Sequence, residues 1–167
     1  TNEQDLAALR LYHYGSTEII ESPAEWFVFN GAGTITGYHF ESGRENVVIP
    51  WQIGGVPVMG IGDEAFKSTP VKMVVSPKTM VSVGLSAFES CSALTSVTFP
   101  STTSIGAYAF FGCYNLFSVA IPSVTSIGTY AFYGANTLTN ITLVIVPSIG
   151  SDAFFNTSES LVITVAE

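Results

Sequence analysis

The stretch Ile105-Gly106-Ala107-Tyr108-Ala109-Phe110 decides the fold, because its pattern returns at a fixed interval along the 167-residue chain. The pattern is Ile/Val-Gly-x-x-Ala-Phe, and each phenylalanine lies 22 residues after the previous one. A constant period of this length is the sequence signature of a repeat architecture. The five copies occupy residues 61–66, 83–88, 105–110, 127–132 and 149–154.

A second apolar pattern follows the phenylalanines and predicts a short β-strand in each repeat. Two apolar residues lie nine and eleven positions after the phenylalanine, which is the alternation of a strand with one buried face. The first copy is one residue shorter in this region, and Val71, Met73 and Val74 leave its register open. The other copies give the pairs Val97/Phe99, Val119/Ile121, Ile141/Leu143 and Ile163/Val165.

These two patterns predict an α/β repeat solenoid. A single unit cannot bury its apolar face alone, whereas stacked units can, with neighbouring strands about 4.8 Å apart. We expect a parallel sheet of five strands on one face and short helical turns at the Ala-Phe segments on the other. Phe110 should be fully buried between its equivalents, and the glycine of each motif should allow a tight bend or a positive φ.

The ends of the chain depart from the repeat. Residues 1–58 are predicted to form an N-terminal cap, and residues 59–167 the five repeats, with a minimal C-terminal cap. Residues 26–29 and 34–40 indicate a β-hairpin around a turn at residues 30–33. Residues 1–22 fit either a short amphipathic helix or an extended segment. A cap is expected because an open solenoid exposes its core at its ends.

The recurring line Leu-x-x-Val-x-Ile-Pro, followed by Ser-x-x-Ser-Ile-Gly-x-x-Ala-Phe-x-x-Cys, resembles the BspA-like, treponemal-type leucine-rich repeat family. It begins at Leu94 and again at Leu116, and the resemblance covers about residues 26–165. The resemblance implies a right-handed leucine-rich-repeat superhelix in a secreted or surface-exposed protein, often from host-associated bacteria and often linked to adhesion. The chain departs from the family pattern at Thr69, Ala135, Val144 and Thr157.

Composition and charge exclude two classes of function. The longest apolar run, residues 141–146, is far shorter than the roughly 18 residues of a spanning helix, so no membrane insertion is expected. The net charge is −8, and the acidic excess lies mainly in residues 1–64, which carry nine acidic and two basic side chains. Nucleic-acid binding requires basic patches, which the sequence does not contain.

The sequence offers little for catalysis. His39 lies near Glu41 and Glu45, where a metal site or an acid–base pair is conceivable, but an exposed histidine in an acidic loop explains the pattern better. The glycines of residues 31–37 do not have dinucleotide-loop spacing. We therefore predict no catalytic residue, no metal and no cofactor, and we do not expect an enzyme.

Cys91 and Cys113 occupy the same repeat position and should be stacked neighbours. A disulfide could bridge them, since a secreted protein permits one and the spacing suits it. The equivalent residues Thr69, Ala135 and Thr157 are small and uncharged, which favours two buried, reduced thiols.

Two rows of residues are candidates for a ligand surface. One is the polar face of the strands, with Ser96, Thr98, Ser118, Asn140 and Thr142. The other is an aromatic row, with Tyr108 and Tyr130 at one repeat position and Phe111, Tyr133 and Phe155 at another. The aromatic residues could form a recognition strip or simply pack on the convex wall.

The function that follows is an extracellular or cell-surface module that recognises a protein or glycan, with adhesion to a host ligand as one such role. The alternative is a structural spacer or assembly domain of a larger surface protein, with no ligand of its own.

Overall fold

The computed structural model describes residues 20–165, which form a solenoid with two parallel β-sheets. Sheet I begins with an antiparallel hairpin and then takes one strand from each Ile/Val-Gly motif. Its strands are β1 (Phe27–Phe29), β2 (Thr34–Tyr38), β6 (Gly60–Ile61), β8 (Ser82–Val83), β10 (Ser104–Ile105), β12 (Ser126–Ile127) and β14 (Ser148–Ile149).

Sheet II contains the strands that the apolar pairs predicted. They are β3 (Asn46–Val48), β7 (Met73–Val75), β9 (Ser96–Thr98), β11 (Ser118–Ala120), β13 (Asn140–Leu143) and β15 (Val162–Val165). A small antiparallel pair, β4 (Gln52–Ile53) and β5 (Val56–Pro57), lies outside both sheets.

The register of sheet II agrees with the 22-residue period. Val119 pairs with Val97 on one side and with Ile141 on the other. In the shortened first copy, Val74 pairs with Val97, which settles the register that the sequence left open. The sequence predicted five strands in this sheet, one too few. The additional strand is β3, which lies before the first repeat and does not carry the repeat motif.

The predicted helical turns at the Ala-Phe segments were wrong. Among residues 20–165 the helical structure is confined to a 3-10 turn at Ala24–Trp26. The residue before each alanine has a positive φ, which is 57° at Tyr108 and 56° at Tyr130. The Phe88 amide donates to the Ala109 carbonyl one turn further on, at 2.7 Å, whereas the next amide, of Glu89, donates to the Ser86 carbonyl within the turn, at 3.1 Å. Because bonds between turns alternate with these local bonds, no continuous helix forms.

The core is a ladder of stacked phenylalanines. Phe110 is fully buried, as predicted, and its ring lies 5.0 Å from that of Phe132 with planes 5° apart. Such stacked pairs contribute about 0.5–1.5 kcal/mol beyond area burial. Around the ladder lie the buried apolar residues of sheet II and the alanines of the motifs.

Each motif glycine permits a close approach of neighbouring turns. A Cβ on Gly106 would lie 2.6 Å from the carbonyl carbon of Gly84. The φ of Gly106 is not positive, so the absence of a side chain, rather than an unusual backbone conformation, explains glycine here. Of the two alternatives that the sequence left open, a positive φ is therefore wrong at the motif glycines.

The two ends of the described chain differ. Near the N-terminus the Asn30 side-chain oxygen accepts hydrogen bonds from the Ala32 and Thr34 amides in the turn of the β1–β2 hairpin, and β2 continues into the parallel ladder of sheet I. At the other end Ile163 is 42% exposed, although its partner Ile141 is fully buried. The predicted helix or extended segment at residues 1–22 lies almost entirely outside the described residues.

Candidate functional site

A groove lined by aromatic side chains runs across three consecutive turns of the solenoid. It is shallow and open, with a volume of about 410 Å³, and we call it the aromatic groove. Its outer column consists of the residues that precede the motif alanine, and its inner column of the residues that follow the motif phenylalanine. The outer column is Tyr108, Tyr130 and Asp152, and the inner column is Phe111, Tyr133 and Phe155.

Backbone hydrogen bonds between turns place the outer column. The Tyr108 amide donates to the Thr129 carbonyl, and the Tyr130 amide donates to the Ser151 carbonyl, each at 3.0 Å. Asp152 has the same positive φ as the two tyrosines, at 53°. Equivalent side chains therefore leave the backbone in the same direction at each turn.

The rings of the groove stack along the solenoid axis. In the inner column the ring centroids of Phe111 and Tyr133 are 5.0 Å apart, and those of Tyr133 and Phe155 are 5.4 Å apart, with planes within 19°. Across the columns Tyr130 meets Tyr133 edge to face at 70°. The inner stack ends at Phe155, whose side chain is 57% exposed.

Asp152 gives the groove its charge. It is the one charged residue among the six that line it. The Asp152 carboxylate raises the pKa of Tyr130, first through its negative charge, with burial a second cause. Tyr130 therefore stays protonated at neutral pH, and the groove carries a negative charge at one end and neutral rings elsewhere.

The predicted strand-face residues lie on sheet II, on a different part of each turn from the aromatic groove. Ser118 pairs in register with Ser96 and with Asn140, and Thr98 and Thr142 flank Ala120. Within residues 20–165 the side chains of these five polar residues make no hydrogen bond. The structure thus divides the predicted ligand residues into two separate groups.

The two carboxylates near His39 have partners of their own. Glu41 forms an ion pair with Arg44, and the Glu45 carboxylate accepts a hydrogen bond from the Gly43 amide at 3.2 Å. Backbone hydrogen bonds lower the pKa of Glu45. His39 is exposed, and residues 20–165 contain no group of three or more His, Cys, Asp or Glu side chains that could hold a metal. The second histidine of the chain, His13, lies outside the described residues.

The two cysteines are free and buried, which matches the reduced-thiol alternative. The Cys91 thiol donates to the Phe66 carbonyl at 2.9 Å, and the Cys113 thiol donates to the Phe88 carbonyl at 3.1 Å. Burial raises the pKa of both thiols. Both sulfurs therefore tie neighbouring turns together as neutral donors.

Asp152 is the groove residue that sequence reasoning missed. The aromatic row was identified from ring positions alone, and an acidic residue at the same position breaks that pattern. The available signal was the 22-residue spacing, which assigns Asp152 to the column of Tyr108 and Tyr130.

Comparison with known families agrees with this architecture. A model described as the BspA type leucine-rich repeat region matches residues 59–166 with six copies. The chain belongs to the BspA-type leucine-rich repeat family. The family model therefore counts one repeat more than the five Ile/Val-Gly motifs of the sequence. Leucine-rich-repeat proteins of this type are typically non-enzymatic scaffolds that serve in interactions or in structure, and typically surface or secreted bacterial proteins.

Solved structures share the fold. The chain is 28% identical to a leucine-rich repeat protein of T. pallidum, with a TM-score of 0.77 over 86% of this chain and 71% of that one. It is 31% identical to a leucine-rich repeat protein of Bacteroides ovatus, with a TM-score of 0.69 over 89% of this chain. It spans only 40% of the B. ovatus protein. No curated protein shows significant similarity to the chain. No helix within residues 20–165 is long and apolar enough to cross a membrane.

Proposed function

We propose that this chain is an extracellular or cell-surface recognition module that binds a protein or glycan through the aromatic groove. The observation that carries the proposal is the groove itself, in which five rings line an open volume of about 410 Å³. Tyr108 and Phe155 at its two ends are 37% and 57% exposed. Partly exposed aromatic groups in one continuous patch are typical of interaction surfaces rather than of a solvated wall.

The preceding turn, which carries no ring at either position, supports this role. Ser86 occupies the repeat position of Tyr108, and Glu89 occupies that of Phe111. Ser86 has the same positive φ, at 52°, and its amide makes the same bond to the next turn, at 2.9 Å to the Ala107 carbonyl. The turn therefore forms without aromatic residues at these positions, which favours recognition over packing as the role of the columns.

The polar residues of sheet II are a second, weaker candidate surface. Ser96, Ser118 and Asn140 lie one turn apart on adjacent strands, and solenoids commonly bind partners on such faces. Because this row carries no charge, we expect it to contribute additional contacts to a partner that is bound mainly by the aromatic groove. Adhesion to a host protein or glycan is one role that both surfaces would suit.

The alternative is a spacer or assembly domain without a ligand. The small, neutral side chains of sheet II favour the spacer, because they include no large or charged side chain that could anchor a partner. The spacer hypothesis gives the aromatic groove no role, and the two hypotheses are separated by a binding experiment.

The test is a screen of the labelled protein against extracellular-matrix proteins, mucins and glycans, repeated with the double variant Tyr108→Ser/Tyr130→Ser. Serine is chosen because it is the natural residue at this position one turn earlier. Phe117→Ser is the control, since Phe117 is 58% exposed and outside the groove. We expect a saturable hit that the double variant loses and the control keeps. A blank screen with folded protein would favour the spacer, whereas a hit that the double variant retains would assign binding to a surface other than the aromatic groove.

A further inference from the structure

We infer that the aromatic groove holds a basic side chain, the lysine or arginine of a partner polypeptide. This inference rests on the proposed function and specifies the ligand chemistry of the same site. It follows from the placement of Asp152, from the shape of the ring stack and from the way the chain holds its own cations.

Asp152 interrupts the outer column at the point where a third ring would follow Tyr130. Among residues 20–165 the ion pairs of Lys and Arg are those of Arg44 with Glu41 and of Lys67 with Glu64 and Glu89, so none involves Asp152. The carboxylate is exposed at the end of an apolar groove. A cation complements this charge, and an anionic ligand opposes it.

In the first repeat, the same two column positions hold an acidic and a basic residue of the chain itself. Glu64 stands at the outer position that Asp152 occupies four turns later, and Lys67 stands at the inner position of Phe155. The Lys67 ammonium lies 2.8 Å from the Glu64 carboxylate. The column geometry therefore brings a cation to an outer carboxylate, and in the last turn a phenyl ring replaces that internal cation.

The chain also combines a ring with a carboxylate to hold a cation elsewhere. The Arg44 guanidinium lies 5.1 Å from the centre of the Trp26 ring and pairs with Glu41. Aromatic faces attract cations at distances up to about 6 Å. Asp152 and the exposed Phe155 ring likewise provide a carboxylate and an aromatic ring. Within the described residues, no Lys or Arg side chain forms an ion pair with this carboxylate.

The shape of the groove suits a long side chain that is apolar except at its tip. Lysine and arginine lay their methylene stems along apolar surfaces and keep the charged end in a polar environment. Three turns at about 4.8 Å give a floor of about 10 Å, enough for such a stem. The stem would lie along the rings of the columns, and its charged end would reach Asp152.

The test is an NMR titration with a capped oligolysine peptide, with oligoserine and oligoglutamate peptides of equal length for comparison. We expect saturable, upfield ring-current shifts of the lysine methylene protons and none with the other two peptides. Asp152→Asn should weaken binding about two- to fivefold, the effect of an exposed charge pair, and Asp152→Glu should retain it. Glu159→Gln is the matched control, because it removes one exposed carboxylate that does not line the groove.

Two results would overturn the inference. One is the absence of ring-current shifts with oligolysine, and the other is an equal affinity of Asp152→Asn and Glu159→Gln. Either could occur while the screen still finds a ligand lost by Tyr108→Ser/Tyr130→Ser, and recognition by the groove would then stand with a neutral ligand. Loss of oligolysine binding in the double variant, together with binding about two- to fivefold weaker in Asp152→Asn than in Glu159→Gln, would support both proposals.

Discussion

The rings of Phe88 and Phe110 lie face to face, with centroids 5.1 Å apart and planes only 3° apart, although 22 residues separate them in sequence. Each ring is fully buried, and each belongs to a different turn. The pair is one step of a ladder that continues to Phe132 and Phe154. The contacts between turns, rather than those within a turn, therefore stabilise this fold.

Phe110→Ala should lower the free energy of unfolding by about 3–5 kcal/mol, because it removes a ring from the middle of the ladder and leaves a cavity. Urea denaturation followed by far-ultraviolet circular dichroism measures the change. Phe117→Ala, at an exposed position, should change stability by no more than about 0.5 kcal/mol. Equal effects of the two substitutions would mean that the ladder does not form.

Gly106→Ala should destabilise the solenoid by about 1–3 kcal/mol, since the new Cβ would meet the backbone of Gly84 at 2.6 Å and the turns would have to separate. Ser104→Ala, two residues earlier in β10, is the comparison. Thermal denaturation of both variants gives the result. A Gly106→Ala protein as stable as the Ser104→Ala protein would show that the turns are less closely stacked than described.

Alkaline pH should destabilise the protein through its thiols. Burial raises the pKa of Cys91 and Cys113 in the folded state, so the unfolded chain ionises first as the pH rises. The stability that the neutral thiols provide is complete below about pH 8.5, the pKa of an unfolded cysteine, and is lost above it.

The check is the urea midpoint at pH 7 and pH 10 for the native chain and for Cys91→Ala/Cys113→Ala. Alanine is suitable because Ala135 occupies the same position one turn later and is buried. Burial raises the pKa of Tyr38 to about 12, and Tyr38 is present in both proteins, so the comparison isolates the thiols. A pH dependence identical in the two proteins would refute the role of the cysteines.

The buried thiols should also resist modification. Both sulfurs are enclosed and donate hydrogen bonds to carbonyl groups of the adjacent turn. A thiol reagent at pH 8 should therefore react with the native protein slowly and with the urea-unfolded protein at once. Rapid reaction of the native protein would indicate that the turns open readily at this position.

The sequence predicts those parts of the fold that repeat with a visible period. The apolar pair at Val97 and Phe99 alternates with the polar Thr98, so its strand, its buried face and its parallel neighbours could all be inferred. Strand β10 has only two residues, too few to show alternation, and the parallel part of sheet I beyond the predicted hairpin was therefore missed. Strand β3 was missed because residues 46–48 lack the motif.

The helical turns were predicted wrongly because local preference and tertiary structure disagree at the Ala-Phe segments. Alanine favours a helix locally, but the amides of Phe88 and Phe110 find carbonyl partners on the next turn at 2.7 Å. The position of the aromatic columns could be inferred from spacing, whereas the ring angles and the groove between them depend on side-chain packing. The role of Asp152 required the structure, because one acidic residue carries no pattern.

The central claim is that the aromatic columns are a recognition surface and that the phenylalanine ladder is stable without them. The most direct test compares the urea denaturation of Tyr108→Ser/Tyr130→Ser with that of Phe110→Ala. Ser86 already builds the same turn, so the double variant should lose no more than about 1–2 kcal/mol, the stacking of two partly exposed rings. Phe110→Ala should lose about 3–5 kcal/mol. A double variant as unstable as Phe110→Ala would contradict the account, because the tyrosines would then belong to the core.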